Sequence, residues 1–124
     1  MQDAYVNARL NGVDNCQFIA GDLKDCLRQA SRSPHYARPD VIITDPPRAG
    51  MHPQVVQALL ELAPQRIVAV SCNPATLARD VALLQPSYTI TDVLPFDLFP
   101  HTPHIECVVR LERRGMTAAP GSTY

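Results

Sequence analysis

Cys72 ends a short apolar run, Ile67-Val68-Ala69-Val70-Ser71, and is followed at once by Asn73-Pro74 and a helical pattern. The run reads as a buried strand, Asn73 as a helix N-cap and Pro74 as a first helical residue. A thiol there emerges at a strand-to-helix turn, beside amide N–H groups that lack partners inside the helix. The positive end of the helix dipole favours its thiolate. That is where a nucleophile would be built. Packing is the commoner fate of an isolated cysteine, so the chemical reading depends on what surrounds Cys72.

The surroundings follow from the order of elements. Asp3 to Leu10 reads as a helix closed by Asn11-Gly12, Cys16 to Ala20 as a short strand, and Leu23 to about Ala30 as a helix after the Gly21-Asp22 turn. A polar, proline-bearing loop, Ser31 to Pro39, leads to a β-branched strand, Val41 to Thr44, that stops at Asp45-Pro46-Pro47. Pro53 to Leu62 then reads as a helix, Arg66 to Ser71 as a strand, and Pro74 to Leu84 as a helix with Leu77, Val81 and Leu84 on one face. This alternation predicts right-handed crossovers and an α/β fold whose sheet is mostly parallel and covered on both faces. Tyr88 to Leu94 and Ile105 to Leu111 follow each other without a helix, which makes the last strand antiparallel. The small and polar residues from Arg113 to Tyr124 read as a disordered tail.

In an open parallel sheet, ligands bind beyond the carboxyl ends of the strands. Asp22, Asp45 and Cys72 each follow a strand, and an antiparallel last strand begins on that same edge and brings Glu106 to it. The topology therefore gathers two aspartates, a thiol and a glutamate. Plainer roles exist for each of Cys72's companions. Asp22 can cap its helix, Asp45 can be a turn residue before proline, and Glu106 can be an outward strand position. Arg48 can pair with a neighbouring carboxylate.

Composition narrows the setting. A chain of 124 residues with 46% hydrophobic content is one globular domain or a piece of one. Net charge is −1 and the pI about 6.4, so the overall balance announces no polyanion partner. No run is long enough to span a bilayer and no basic-then-apolar leader opens the chain, which reads as soluble and cytoplasmic. Cys16, Cys26, Cys72 and Cys107 have neither zinc-site spacing nor the pattern of a disulfide framework, and Pro103 between His101 and His104 argues against a helical metal pair.

Three ordered segments carry a resemblance. Asp45-Pro46-Pro47-Arg48-Ala49-Gly50, Ser71-Cys72-Asn73-Pro74-Ala75-Thr76-Leu77-Ala78-Arg79-Asp80, and Asp97-Leu98-Phe99-Pro100-His101-Thr102-Pro103-His104-Ile105-Glu106 resemble the S-adenosylmethionine-dependent RNA 5-methyluridine methyltransferases. The likeness runs to about Arg114 and also includes Asn7-Ala8-Arg9-Leu10-Asn11-Gly12 and Phe18-Ile19-Ala20-Gly21-Asp22. It implies a Rossmann-like class I methyltransferase sheet, with residues 1–114 as the carboxyl-terminal portion of the catalytic domain and 115–124 as a tail. It further implies Cys72 as nucleophile, Glu106 as base, and Asp22 and Asp45 as contacts to S-adenosylmethionine, Asp45 also to the target uracil. The chemistry suits these residue types. Carbon 5 of uracil is a poor nucleophile until a thiolate adds to carbon 6, and a base must later remove the carbon 5 proton. A target base flipped out of its stack is implied. The segments after Pro74 and around Phe99-Pro100-His101-Thr102 look more like the ribosomal RNA enzymes of the family than the transfer RNA enzymes, and a monomer is expected for the full-length protein.

The chain also departs from the family. The glycine-rich first strand-turn-helix and the acidic residue closing the second strand are not present, so the amino-terminal strands of the sheet and half of the cofactor site are expected to be missing. Two rival enzymes fit worse. An amino-group methyltransferase needs an aromatic residue where Arg48 stands, and a phosphatase loop needs five residues, not six, between Cys72 and Arg79. A non-enzymatic alternative is a truncated, inactive fragment acting only as an interaction or structural module. On its own the chain should bind S-adenosylmethionine weakly or not at all by calorimetric titration; micromolar binding would contradict the incomplete site.

Overall fold

Proline and local caps set most of the boundaries that matter for the site. The computed structural model describes residues 1–33 and 38–115, in the order α1 (Gln2–Leu10), α2 (Leu23–Arg32), β1 (Val41–Thr44), α3 (Pro53–Leu62), β2 (Arg66–Ser71), α4 (Pro74–Leu84), β3 (Tyr88–Phe96) and β4 (Glu106–Arg113). Pro53 and Pro74 occupy first-turn positions of α3 and α4, where a missing N–H costs nothing, and His52 and Asn73 cap those helices. Ala63 ends α3 in the left-handed region at φ 49°, and its N–H reaches the carbonyl of Leu59. Helix α2 runs two residues further than expected, with Ser31 Oγ donating to the Arg28 carbonyl at 3.0 Å. The rest of the expected 31–39 loop falls partly on residues 34–37, and the expected tail on residues 116–124; both stretches lie outside the described residues.

The four strands form one mixed α/β sheet in the order β1-β2-β4-β3. β1 and β2 are parallel, and β4 lies antiparallel between β2 and β3, as the helix-free connection predicts. Ile67 and Ala69 of β2 and Cys107, Val109 and Leu111 of β4 point to one face, where they pack with Val55, Val56 and Leu59 of α3 and Leu77, Val81 and Leu84 of α4. Helix α2 sits outside α3, with Leu27 packed against this core.

Two expectations need correction. Among the described residues the sheet is covered on one face only: Ile43 is 72% exposed, and Leu94 and Phe96 are exposed on the same face. The reason is topological. Successive right-handed crossovers that advance in one direction along a sheet put their helices on one side, and only a reversal covers the other. Both crossovers here, β1-α3-β2 and β2-α4-β3, advance the same way. Nor do Cys16 to Ala20 form a strand. A strand exists only through a partner, and none of the described strands pairs with this segment. It lies instead against α1, where Tyr5 Oη donates to the Phe18 carbonyl at 3.1 Å and the two rings meet edge to face at 4.9 Å. Helix α1 buries none of its residues.

Tyr88 ties β3 to the end of α3. It is 1% exposed and its hydroxyl donates to the Pro64 carbonyl at 2.8 Å. Burial raises its pKa above the ordinary 10.0. Because the folded-state value lies above the unfolded one, its contribution is complete below pH 10.0 and is lost as pH rises through the folded value. Tyr88→Phe should cost about 1–2 kcal/mol in chemical denaturation at neutral pH, and the gap to the unsubstituted chain should shrink above pH 10.0. A gap that stays constant into the alkaline range would contradict this.

Candidate active site

Side chains alternate between faces along a strand, so register decides which motif residues meet. In β2 the buried positions are Ile67, Ala69 and Ser71, while Arg66, Val68 and Val70 face the uncovered side. Continuing that alternation, Cys72 belongs with Val68 and Val70. Glu106 shares the face of Val108, which pairs with Val70. The last β2–β4 pair is Ser71 with Cys107, so Cys72 and Glu106 are the next residues at that end of the ladder. Cys72 and Glu106 are both half-buried. Phe96 pairs with Glu106 on its other side. Asp45 follows Thr44, the partner of Ala69. The same register puts Asp45 beside Val70, one strand spacing (about 4.8 Å) across and two residues (about 6.6 Å) back from Cys72. Asp45 is exposed, and its carboxylate has no hydrogen bond or ion pair among the described residues. Three of the four expected residues thus share one rim of one face. Below them Ile43, Val68, Val70, Val108 and Leu94 form an apolar floor.

The turn carrying the thiol is locally over-determined. Ser71 Oγ accepts from the Asn73 N–H and donates to the Asn73 carbonyl, both at 3.1 Å. Asn73 Oδ1 accepts from the Ala75 N–H at 3.1 Å, capping α4. Cys72 is held between these two anchors.

The same helix grips the loop after β1. Asn73 Nδ2 and Thr76 Oγ1 each donate to the Arg48 carbonyl at 3.2 Å. Arg79 Nη2 donates to the Ala49 carbonyl at 3.0 Å, and the Met51 N–H donates to Asp80 Oδ2 at 2.6 Å. Arg48 itself pairs not with a carboxylate but with His104, its Nη2 lying 2.9 Å from Nδ1. His104 precedes Glu106 by two residues, so Arg48 links all three motif segments. Sequence reasoning gave no task to His104 or Asp80. For Asp80 a signal existed: it sits on the apolar face of α4 between Leu77 and Leu84, where a charge needs a partner.

Asp22 stands apart from this rim, because no strand precedes it. It caps α2, accepting from the Lys24 N–H at 3.1 Å, and its other oxygen lies 3.3 Å from Lys24 Nζ. The backbone hydrogen bond from Lys24, then the Lys24 side chain, hold its carboxyl below the usual 3.8, with a smaller Coulombic contribution from His52. All four cysteines are free. Among the described residues, no group of three or more His, Cys, Asp and Glu could hold a metal ion, and no helix is long and apolar enough to cross a membrane.

With this geometry in place, comparison with known proteins is decisive at the level of family. A family model described as tRNA (Uracil-5-)-methyltransferase matches residues 1–114. The chain belongs to that family. Among its relatives, an uncharacterized RNA methyltransferase of Bacteroides thetaiotaomicron is 57% identical over 114 residues, covering 92% of this chain and 25% of that protein. Another, from Nitratidesulfovibrio vulgaris, is 53% identical over 115 residues, again 92% of this chain and 25% of the relative. The crystal structure of Pyrococcus abyssi tRNA (uracil-54, C5)-methyltransferase in complex with S-adenosyl-L-homocysteine is similar with a TM-score of 0.71 and 39% identity, covering 89% of this chain and 25% of that one. The chain therefore spans about a quarter of the length of the relatives it matches.

Proposed function

We propose that this chain carries the nucleophile and the base of an enzyme that methylates carbon 5 of a uridine in RNA. The observation that supports it most is the Ser71–Cys107 register, which has Cys72 and Glu106 next in sequence at the same end of the ladder, in a family member. In this reading the Cys72 thiolate forms a bond from Sγ to carbon 6 of a flipped-out uracil. The electrons of the carbon 5–carbon 6 double bond move toward the carbon 4 carbonyl, making carbon 5 nucleophilic. S-adenosylmethionine, when bound, supplies the sulfonium methyl that carbon 5 takes. Glu106 then removes the proton left on carbon 5, and those electrons restore the double bond as the Sγ–carbon 6 bond breaks.

The residues present fit the cofactor in part. Asp45 offers at the rim a carboxylate with no partner among the described residues, whereas Asp22 is already engaged by Lys24 and has only its exposed side to offer. Turnover therefore needs surface that these residues do not provide. The near-neutral net charge of −1 agrees, since the grip on RNA phosphates must come mainly from elsewhere. Ribosomal RNA is the favoured substrate from the motif wording around Pro74 and Phe99, with transfer RNA the competing substrate. A cytoplasmic, monomeric full-length enzyme accords with this. A second reading, an interaction or structural module without turnover of its own, is favoured by one observation: the sheet face that is left uncovered among the described residues, with Ile43, Leu94 and Phe96 exposed on it beside the Arg66–Glu112 and Arg110–Asp92 ion pairs.

In a full-length context, Cys72→Ala should abolish the covalent adduct with RNA bearing 5-fluorouridine and methyl transfer with it. Glu106→Gln should permit methyl transfer and leave the RNA trapped on the protein, as seen by denaturing electrophoresis. An unchanged adduct in the cysteine variant would remove the mechanism. Absence of both activities in the unsubstituted protein would favour the second reading.

A further inference from the structure

Asp80 is the one carboxylate buried in the described core, 2% exposed, and its partners are all devoted to a single loop. Oδ2 accepts from the Met51 N–H at 2.6 Å, and Oδ1 accepts from Arg79 Nε at 3.0 Å and Nη2 at 2.7 Å. The same Nη2 reaches the Ala49 carbonyl at 3.0 Å. Between them Gly50 adopts φ +83°, and a Cβ there would lie 2.5 Å from Arg79 Nη2 and 2.6 Å from Asp80 Oδ2. The loop is therefore closed on the ion pair with no space left, a fit only glycine permits. Burying a carboxylate is costly unless every lone pair is used, and here the donors are a backbone amide and a guanidinium that is itself tied to the loop.

We infer that Asp80, steadied by Arg79, is a positioning residue for the proposed methyl transfer: it locks residues 49–51 onto α4 and so fixes Asp45 and Arg48 relative to the Cys72 thiol. This inference rests on the reading of Cys72 as nucleophile for its purpose, though not for its geometry. The mechanical path is short. The loop held by Asp80 continues into Arg48, whose carbonyl is bound by Asn73, and Asn73 is bonded to Ser71 on the other side of Cys72. Releasing the loop leaves Asn73 with one anchor fewer and lets the thiol turn move, while the core behind Cys107 keeps its packing.

The test uses the chain as it is and two independent variants: Asp80→Asn, which removes the charge but keeps the shape, and Gly50→Ala, which forces the clamp apart without touching its charges. Three rates are read: hydrogen exchange of the Met51 amide, alkylation of Cys72 by iodoacetamide, and alkylation of the buried Cys107 as the reporter of global opening. Both variants should speed Met51 exchange and Cys72 alkylation by about tenfold, the effect of losing one charge-assisted hydrogen bond from a local opening equilibrium. Cys107 should stay protected. Unchanged Cys72 alkylation would overturn the inference, and so would acceleration of Cys107 in step with Cys72, which would mark Asp80 as a support of the whole fold. Because no rate depends on methyl transfer, failure of the proposed function would not be mistaken for failure of the clamp.

Discussion

The arrangement depends on the antiparallel pairing of β4 between β2 and β3. A purely parallel succession would carry the start of the last strand to the opposite edge of the sheet, far from the thiol. Reversing one strand brings Glu106 to the carboxyl end of β2, next to the Ser71–Cys107 pair after which Cys72 follows. A slip of one residue would turn Glu106 into the helical core and expose Cys107. The buried row of Ile67, Leu111, Ala69 and Val109 forbids that slip, because every apolar side chain in it would move to the wrong face. Core packing therefore fixes the separation of two groups that are not in the core.

A second constraint works at right angles to the sheet. Helix α4 uses its amino-terminal side chains twice. Asn73 caps the helix with one atom and holds the Arg48 carbonyl with another, and Asp80 takes the Met51 amide. The polar backbone of the Arg48–Met51 loop is thereby satisfied by side chains and by the turn bond from the Gly50 N–H to the Pro47 carbonyl rather than by a ladder, which is how an aspartate followed by two prolines can end a strand without leaving its neighbours unpaired. Arg48 extends the same connection to His104 and the approach to β4.

Much of this was legible in the sequence where the signals are local. The bounds of Val41–Thr44, Pro53–Leu62, Arg66–Ser71 and Pro74–Leu84 follow from prolines, caps and short β-branched runs, and the structure has the same bounds. The segment Cys16–Ala20 looked like a strand for the same reasons and is not one, because strand formation requires a neighbour that its own residues cannot supply. The one-sided covering of the sheet was missed because it depends on the direction of successive crossovers, not on any single helix. Within the site, Cys72, Asp45 and Glu106 were readable as strand-end residues. The side chains that hold the neighbouring Arg48–Met51 loop, Asp80, Arg79 and His104, were not given roles, since a charge on a helix face shows its partner only in three dimensions.

The pairing of Cys72 with position 106 can be measured in the chain itself. In a Cys107→Val background, Glu106→Cys puts a second thiol opposite Cys72, and adjacent positions on antiparallel strands fall within the Cα separation of about 4.4–6.8 Å that a disulfide spans. Mild oxidation followed by peptide mass spectrometry should find a disulfide between Cys72 and the introduced thiol, with Cys16 and Cys26 remaining free. A free Cys72, or a bond from Cys72 to Cys16 or Cys26 instead, would contradict the register on which the site is built.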